Sequence, residues 1–133
     1  MAFLTWTDQY KLNIKEIDEQ HKYLFNLLNR LYDSVVEGDE RSTLDNVLAE
    51  LIDYTVYHFN TEEKMLEEQN YPELDIQKQE HNELTGQVIE LQTKFRDGSA
   101  TISFEVLDFL SNWLTTHTMG SDQKYSAFIF NKT

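Results

Sequence analysis

Four stretches of this chain repeat apolar residues at helical spacing, and this pattern constrains the fold more than any other feature. The first stripe is Ile17, His21, Leu24, Leu28, Leu31 and Val35. Alternating steps of four and three keep side chains on one helix face and are typical of bundled helices. The chain has only one Pro and four Gly in 133 residues, which favours long helices. The sequence therefore predicts an all-α fold.

Three breaks separate the stripes and set the predicted helix boundaries. They are Gly38-Asp39, Asn70-Tyr71-Pro72 and Asp97-Gly98. Gly suits the position just after a helix, and Pro cannot continue a helix but opens the next one well. The predicted helices cover residues 17–37, 40–69, 73–96 and 103–118, with an arm at 1–16 and a tail beyond Gly120.

The connections between these helices are short, so consecutive helices are expected to be antiparallel neighbours. The predicted fold is an up-down-up-down antiparallel four-helix bundle with an N-terminal arm, in one domain of residues 1–133. The arm is apolar enough to pack on the bundle, through Phe3, Leu4, Trp6 and Ile14.

The charge and the lack of cysteine exclude several kinds of partner and site. Asp and Glu total 24 against 11 Lys and Arg, for a net charge of −13. Such a surface repels nucleic-acid phosphates and anionic lipid, so neither partner is expected. The absence of Cys rules out disulfides and thiolate metal sites and fits a cytoplasmic location. No apolar run approaches the roughly 20 residues of a membrane span.

Each of the four histidines falls on the stripe of a different predicted helix. They are His21, His58, His81 and His117. A lone imidazole in a seam is usually a core histidine with a hydrogen-bond partner. Here four buried imidazoles would each need a partner or bear a desolvation cost of roughly 1–3 kcal/mol. A shared metal removes that cost for all four, and the antiparallel order brings them to a similar level.

One carboxylate joins this cluster through its helical spacing. Glu62 follows His58 by four residues, so both lie on one helix face. The alternative is a surface glutamate on a long acidic helix. The neighbouring Glu63 is rotated by about 100° and is expected to face solvent.

Asp122 is a less certain member, because it follows His117 by five residues. On a regular helix that spacing places it about 140° away. It can share the site only if the helix is distorted, and Gly120 is where distortion is least costly.

Imidazoles and carboxylates without sulfur favour iron, manganese or zinc over softer metals. Six protein ligands are more than one tetrahedral zinc takes. Two metals bridged by carboxylates accommodate them, although the spacing alone leaves the number of metals open.

At these residues the sequence resembles the hemerythrin family, over nearly the whole chain. The matching segments are Trp6, Asp18-Glu19-Gln20-His21-Lys22, His58-Phe59-Asn60-Thr61-Glu62-Glu63, Tyr71-Pro72-Glu73, His81-Asn82, and Trp113-Leu114 with His117 and Asp122.

The resemblance implies two iron ions with a solvent-derived oxo or hydroxo bridge. His21 and His58 look like ligands of the iron with an open coordination position, where the family binds dioxygen. The second iron would take His81 and His117. The bridging carboxylates would be Glu62 and Asp122. The expected apolar wall of the oxygen pocket consists of Trp113, Phe59, Leu24 and Leu28.

The third predicted helix, 73–96, departs from the family pattern at Gln77, where a third histidine ligand of the second iron is usual. Gln77 lies on the stripe four residues before His81. It can ligate weakly through its amide oxygen, hold a water that fills the coordination site, or leave an exchangeable position. Weak or water-mediated occupancy is favoured slightly over direct ligation.

Reversible dioxygen binding without turnover, for storage, delivery or sensing, is the favoured function. The alternative is a di-iron enzyme acting on peroxide or nitric oxide, because the second iron is altered. A third class is an iron-binding or scaffold bundle with no gas chemistry. No acid or base stands out on the stripes beyond the ligands, which favours binding over catalysis. The sequence identifies no partner protein.

Overall fold

The fold is an all-α bundle of four long helices, seen in a computed structural model that describes residues 3–130. Consecutive long helices are antiparallel neighbours, as predicted. The long helices are α1 (Lys15–Glu37), α2 (Arg41–Glu68), α3 (Leu74–Asp97) and α4 (Phe104–His117). These bounds lie within two residues of the predicted ones. Within residues 3–130, no helix has the length and apolar composition needed to cross a bilayer.

Glycine ends two of these helices by adopting a left-handed backbone. Gly38 follows α1 with φ of 70°, and Gly98 follows α3 with φ of 85°. The N–H of Asp39 donates to the carbonyl of Ser34 at 3.0 Å, which satisfies a carbonyl that the helix leaves free. The two glycines thus stop α1 and α3 where the sequence indicates.

The predicted tail after Gly120 is wrong, because the chain stays helical to Phe130. A π-helical turn, Thr118–Asp122, follows α4 and leads into a short helix, α5 (Gln123–Phe130). The face of α5 that carries Tyr125 packs on Leu12, Ile17 and Leu66, at one end of the bundle. This apolar contact explains why the helix continues past the glycine.

Two side chains of α1 fasten the N-terminal arm, which packs on the bundle as expected. The Asn29 amide accepts from the backbone N–H of Leu4 at 2.7 Å and donates to its carbonyl at 2.8 Å. The Asp18 carboxylate accepts from the backbone N–H groups of Leu12 and Asn13 at 2.8 and 3.0 Å. Within the arm, Asp8–Tyr10 forms one 3₁₀ turn.

Candidate metal centre

The four histidines meet in the interior of the bundle, one from each long helix. His117 is the last residue of α4. Each histidine is nearly completely buried, and His117 is the most exposed at 6%. The Nε2 atoms of His81 and His117 are 3.1 Å apart, and the rings of His21 and His58 are 4.6 Å apart between centroids. The imidazoles therefore lie at one level, as the antiparallel order of the helices predicts, and they form two pairs there.

Glu62 lies between the two pairs and directs one carboxylate oxygen at each. Its Oε2 is 3.7 Å from Nε2 of His21 and 3.5 Å from Nε2 of His58. Its Oε1 is 2.9 Å from Nε2 of His81 and 3.9 Å from Nε2 of His117. One buried carboxylate thus contacts all four imidazoles.

Asp122 reaches the same centre because of the π-helical turn. In a π turn the hydrogen bonds run from residue i to i+5, so residues five apart lie on nearly the same side. Asp122 Oδ1 is 3.1 Å from Nε2 of His117, and its Oδ2 is 3.3 Å from Nε2 of His21. The expectation that the helix is distorted here is met, and the second carboxylate also contacts both pairs.

Two overlapping sets of these side chains have the geometry of a metal site. His21, His58 and Glu62 form one set, and Glu62, His81 and His117 form the other; within each set the ligand atoms lie within 4.8 Å of one another. Oε1 of Glu62 and Oδ2 of Asp122 are buried without a hydrogen-bond donor. Buried carboxylate oxygens need a cation or a donor, so the donor set fits metal binding at this centre.

Polar side chains behind the histidines fix their ring orientation. His58 Nδ1 donates to Gln20 Oε1 at 2.7 Å, and His81 Nδ1 donates to Glu63 Oε2 at 2.8 Å. A proton on Nδ1 leaves the lone pair of Nε2 directed at the centre, as metal ligation requires.

The expectation that Glu63 faces solvent is therefore wrong. Its side chain is only 21% exposed. Because α3 packs beside α2, the imidazole of His81 reaches a carboxylate that lies one residue off the seam. Rotation on a single helix gives no information about a neighbouring helix.

Tyr125 is a site residue that the helical stripes of the sequence do not reveal. Its hydroxyl donates to Oε2 of Glu62 at 2.7 Å, and its side chain is completely buried. Tyr125 follows Asp122 by three residues, which would have placed it on the same face had the helix been expected to continue.

Gln77 faces the centre from α3, one turn before His81, and is 2% exposed. Its Nε2 donates to Oδ1 of Asp122 at 3.2 Å, whereas its Oε1 is buried without a partner. The amide thus contacts a carboxylate of the centre.

The charges of the metal-free centre are arranged to favour positive charge in both pairs. Burial lowers the pKa of His21, but the carboxylates of Asp122 and Glu62 outweigh it and raise the pKa to about 9. Burial acts the same way on His117, and Asp122 and Glu62 raise its pKa to about 10. For His58 burial dominates and lowers the pKa to about 4. In the metal-free protein, His21 in one pair and His117 in the other therefore carry a proton at neutral pH. Each pair thus lies at a position that favours positive charge.

The four expected pocket residues line one apolar cavity beside the centre. Leu24, Leu28, Phe59 and Trp113 enclose about 40 Å³ together with other apolar side chains of the bundle. Phe59 stacks on the ring of His81 with centroids 3.8 Å apart, and Trp113 stacks on His117 at 4.5 Å. The one hydroxyl in the lining, of Thr55, donates to the Leu51 carbonyl instead of into the cavity.

Known proteins share both the sequence pattern and the fold. Residues 12–129 match the model of the hemerythrin HHE cation binding domain. A bacteriohemerythrin of Methylococcus capsulatus is 36% identical over 126 residues, covering 94% of this chain and 95% of its own length. One from Stenotrophomonas maltophilia is also 36% identical over 126 residues, covering 95% of this chain and 81% of its own. The crystal structure of a wild-type hemerythrin superposes with a TM-score of 0.90 at 35% identity, covering 94% of this chain and 96% of its own. The chain therefore belongs to the hemerythrin family.

Proposed function

We propose that this protein holds two iron ions, joined by a solvent-derived oxo or hydroxo bridge, and binds dioxygen reversibly. One iron would be held by His21 and His58 and the other by His81 and His117. Both irons would share the carboxylates of Glu62 and Asp122. The observation that carries the proposal is the division of the Glu62 carboxylate, one oxygen toward each histidine pair.

When bound, the irons would supply the electrons and the open coordination position that dioxygen needs. The protein's own side chains keep water away from that position and fix the orientation of the ligands. Phe59 and Trp113 stack on the imidazoles of His81 and His117 and also line the apolar cavity, so the cavity adjoins the centre. A cavity of about 40 Å³ has room for a molecule the size of dioxygen. Its apolar lining disfavours the entry of water.

The lining of the cavity favours binding over turnover. Along the part of the chain that the structure describes, no ionisable side chain lines this cavity. A peroxide- or nitric oxide-reducing enzyme needs a group that delivers protons to the bound substrate. Oxygen binding therefore remains the function that the geometry supports best.

Anaerobic loading with ferrous iron followed by oxygen exposure tests the proposal. We expect two irons per chain and a charge-transfer absorption band that appears with oxygen and disappears on degassing. Steady consumption of peroxide would favour the enzyme, and two irons without a reversible band would favour a bundle without gas chemistry. Fewer than two irons per chain would overturn the assignment.

A matched pair of variants on α2 links this result to the bridging carboxylate. Glu62→Gln replaces an anionic oxygen with an amide that contacts both histidine pairs, so iron content should fall below two per chain. Glu68→Gln makes the same chemical change on an exposed position of the same helix and should retain both irons. Equal iron content in the two variants would contradict a bridging role for Glu62.

A further inference from the structure

We infer that Gln77 is a positioning residue that holds Asp122 through its amide nitrogen and is not a metal ligand. The metal beside His81 and His117 then has a coordination position open to water and small anions. This inference rests on the proposed di-iron function and concerns how that centre is completed.

The contact between Gln77 and Asp122 fixes which end of the amide faces the carboxylate. The amide Nε2 lies 3.2 Å from Oδ1 of Asp122. An ionised carboxylate only accepts hydrogen bonds, so an amide oxygen placed there would set two acceptors against each other. The amide nitrogen of a glutamine has its lone pair delocalised and donates hydrogen bonds instead of binding metals. The end of Gln77 nearest the centre is therefore the end that cannot ligate.

The hydrogen bond acts on the oxygen of Asp122 that faces the second histidine pair. The same Oδ1 lies 3.1 Å from Nε2 of His117. A donor on that oxygen fixes the carboxylate plane and withdraws part of its negative charge from the neighbouring metal position. Gln77 thus acts on the second metal through Asp122.

The other end of the amide has room for water. Oε1 of Gln77 is buried without a hydrogen-bond partner. A cavity of about 30 Å³ adjoins this residue, with polar groups of Tyr71, Glu73, Ser121 and Lys124 in its lining. A cavity of this size with polar groups in its lining has room for a water molecule. That water would satisfy Oε1 without requiring it to turn toward the metal.

A surface groove gives small ligands access to the same side of the centre. It is lined in part by His117, Trp113 and Gly120, and it shares Ser121 and Lys124 with the cavity beside Gln77. Lys124 and Glu80 place one positive and one negative side chain in the groove lining. Trp113 lies between this groove and the apolar cavity on the Phe59 side, because it lines both.

Azide titration of the diferric protein tests the inference by counting exchangeable positions. The Gln77→His variant supplies an imidazole that can occupy the second metal, so it should bind one azide fewer per chain than the unchanged protein. The control Gln79→His alters an exposed residue of the same helix and should bind as many azides as the unchanged protein. Equal azide counts for the unchanged protein and Gln77→His would overturn the inference.

A crystal structure of the unchanged diferric protein keeps the inference testable should Gln77→His not fold. We expect Nε2 of Gln77 to remain on Asp122 and Oε1 to lie beyond ligation distance, and an Oε1–iron bond of about 2.0–2.2 Å would overturn the inference. Failure of the proposed function is distinguishable, because it shows as missing iron or a missing reversible oxygen band. Neither the azide count nor the amide orientation depends on oxygen.

Discussion

The hydroxyl of Tyr125 donates a 2.7 Å hydrogen bond to Oε2 of Glu62, and both side chains are completely buried. This contact ties the last helix to the carboxylate that serves both histidine pairs. Tyr125 reaches it because the chain stays helical through the π-helical turn and on to Phe130. The centre is thus supported by the helical continuation of α4.

Removal of the Tyr125 hydroxyl should destabilise the metal-free protein. Tyr125→Phe leaves Oε2 of Glu62 one donor short, and an unsatisfied buried acceptor costs about 1–3 kcal/mol. Urea unfolding of metal-free protein measures this loss. Tyr71→Phe is the control, because that hydroxyl bonds the exposed Glu73 at 3.2 Å and should cost less than about 0.5 kcal/mol. If both variants lose the same free energy of unfolding, the hydrogen bond from Tyr125 to Glu62 contributes no more than an ordinary surface contact.

The π-helical turn should tolerate a side chain at Gly120 but not an added residue. A Cβ at Gly120 meets no atom within 4 Å, and its φ is not positive. Gly120→Ala should therefore keep the metal content of the unchanged protein. Insertion of one Ala after Gly120 rotates Asp122 and Tyr125 by about 100° away from the centre, so bound metal per chain should fall. The metal content of the purified variants measures this effect. An insertion variant that keeps its metal would show that the π-helical turn is not needed to place Asp122 at the centre.

Filling the apolar cavity should impair oxygen binding without loss of metal. Leu28→Phe puts a larger side chain into a lining position, at a packing cost of about 1–3 kcal/mol. Leu31→Phe is the control, since Leu31 is equally buried one turn away and does not line the cavity. We expect both variants to hold two irons and only Leu28→Phe to lose oxygen uptake, measured from the oxygenated absorption band. If both variants lose oxygen uptake to the same extent, the cause is strain in the packed core and not the filling of the cavity.

The stability of the metal-free protein should fall as pH rises from about 6.5 toward 10. The pKa values of His21 and His117 are raised to about 9 and about 10 in the folded chain, against about 6.5 when unfolded. The stabilisation from these protonated imidazoles is complete below the unfolded value and is lost as pH passes the folded values. Urea midpoints across this range measure the effect. The metal-loaded protein should lack it, because metal ions replace these protons.

Acid should also destabilise the metal-free protein, through His58. Burial lowers the pKa of His58 to about 4, so below about 6.5 the unfolded chain takes up a proton that the folded chain refuses. Stability is then lost as pH falls from 6.5 through 4. A flat urea midpoint between pH 4 and 10 would contradict both assignments.

The helices and the inward position of the histidines follow from the sequence because both depend on local spacing. His21, His58 and His81 lie on stripes whose period is that of the helix itself. Short connections then determine which helices are neighbours. These features need no knowledge of how side chains on different helices meet.

The rest of the site depends on features that spacing does not encode. Asp122 and Tyr125 lie beyond a π turn, and a regular period predicts the wrong face for the first and no helix for the second. Glu63 is off the seam of its own helix, yet it lies within reach of an imidazole from the next. The orientation of the Gln77 amide is likewise set by Asp122, which lies 45 residues later.

The attachment of α5 to the arm has a consequence for how the protein is made. Ser126 donates to the carbonyl of Leu12 at 2.8 Å, so segments 114 residues apart close the same end of the bundle. During synthesis His21, His58 and Glu62 emerge long before Asp122, which cannot take its place until α5 has docked. A nascent chain therefore presents an incomplete and open set of ligands. Stable metal uptake should follow the docking of α5, and a chain that stalls before α5 should be unable to retain its metal.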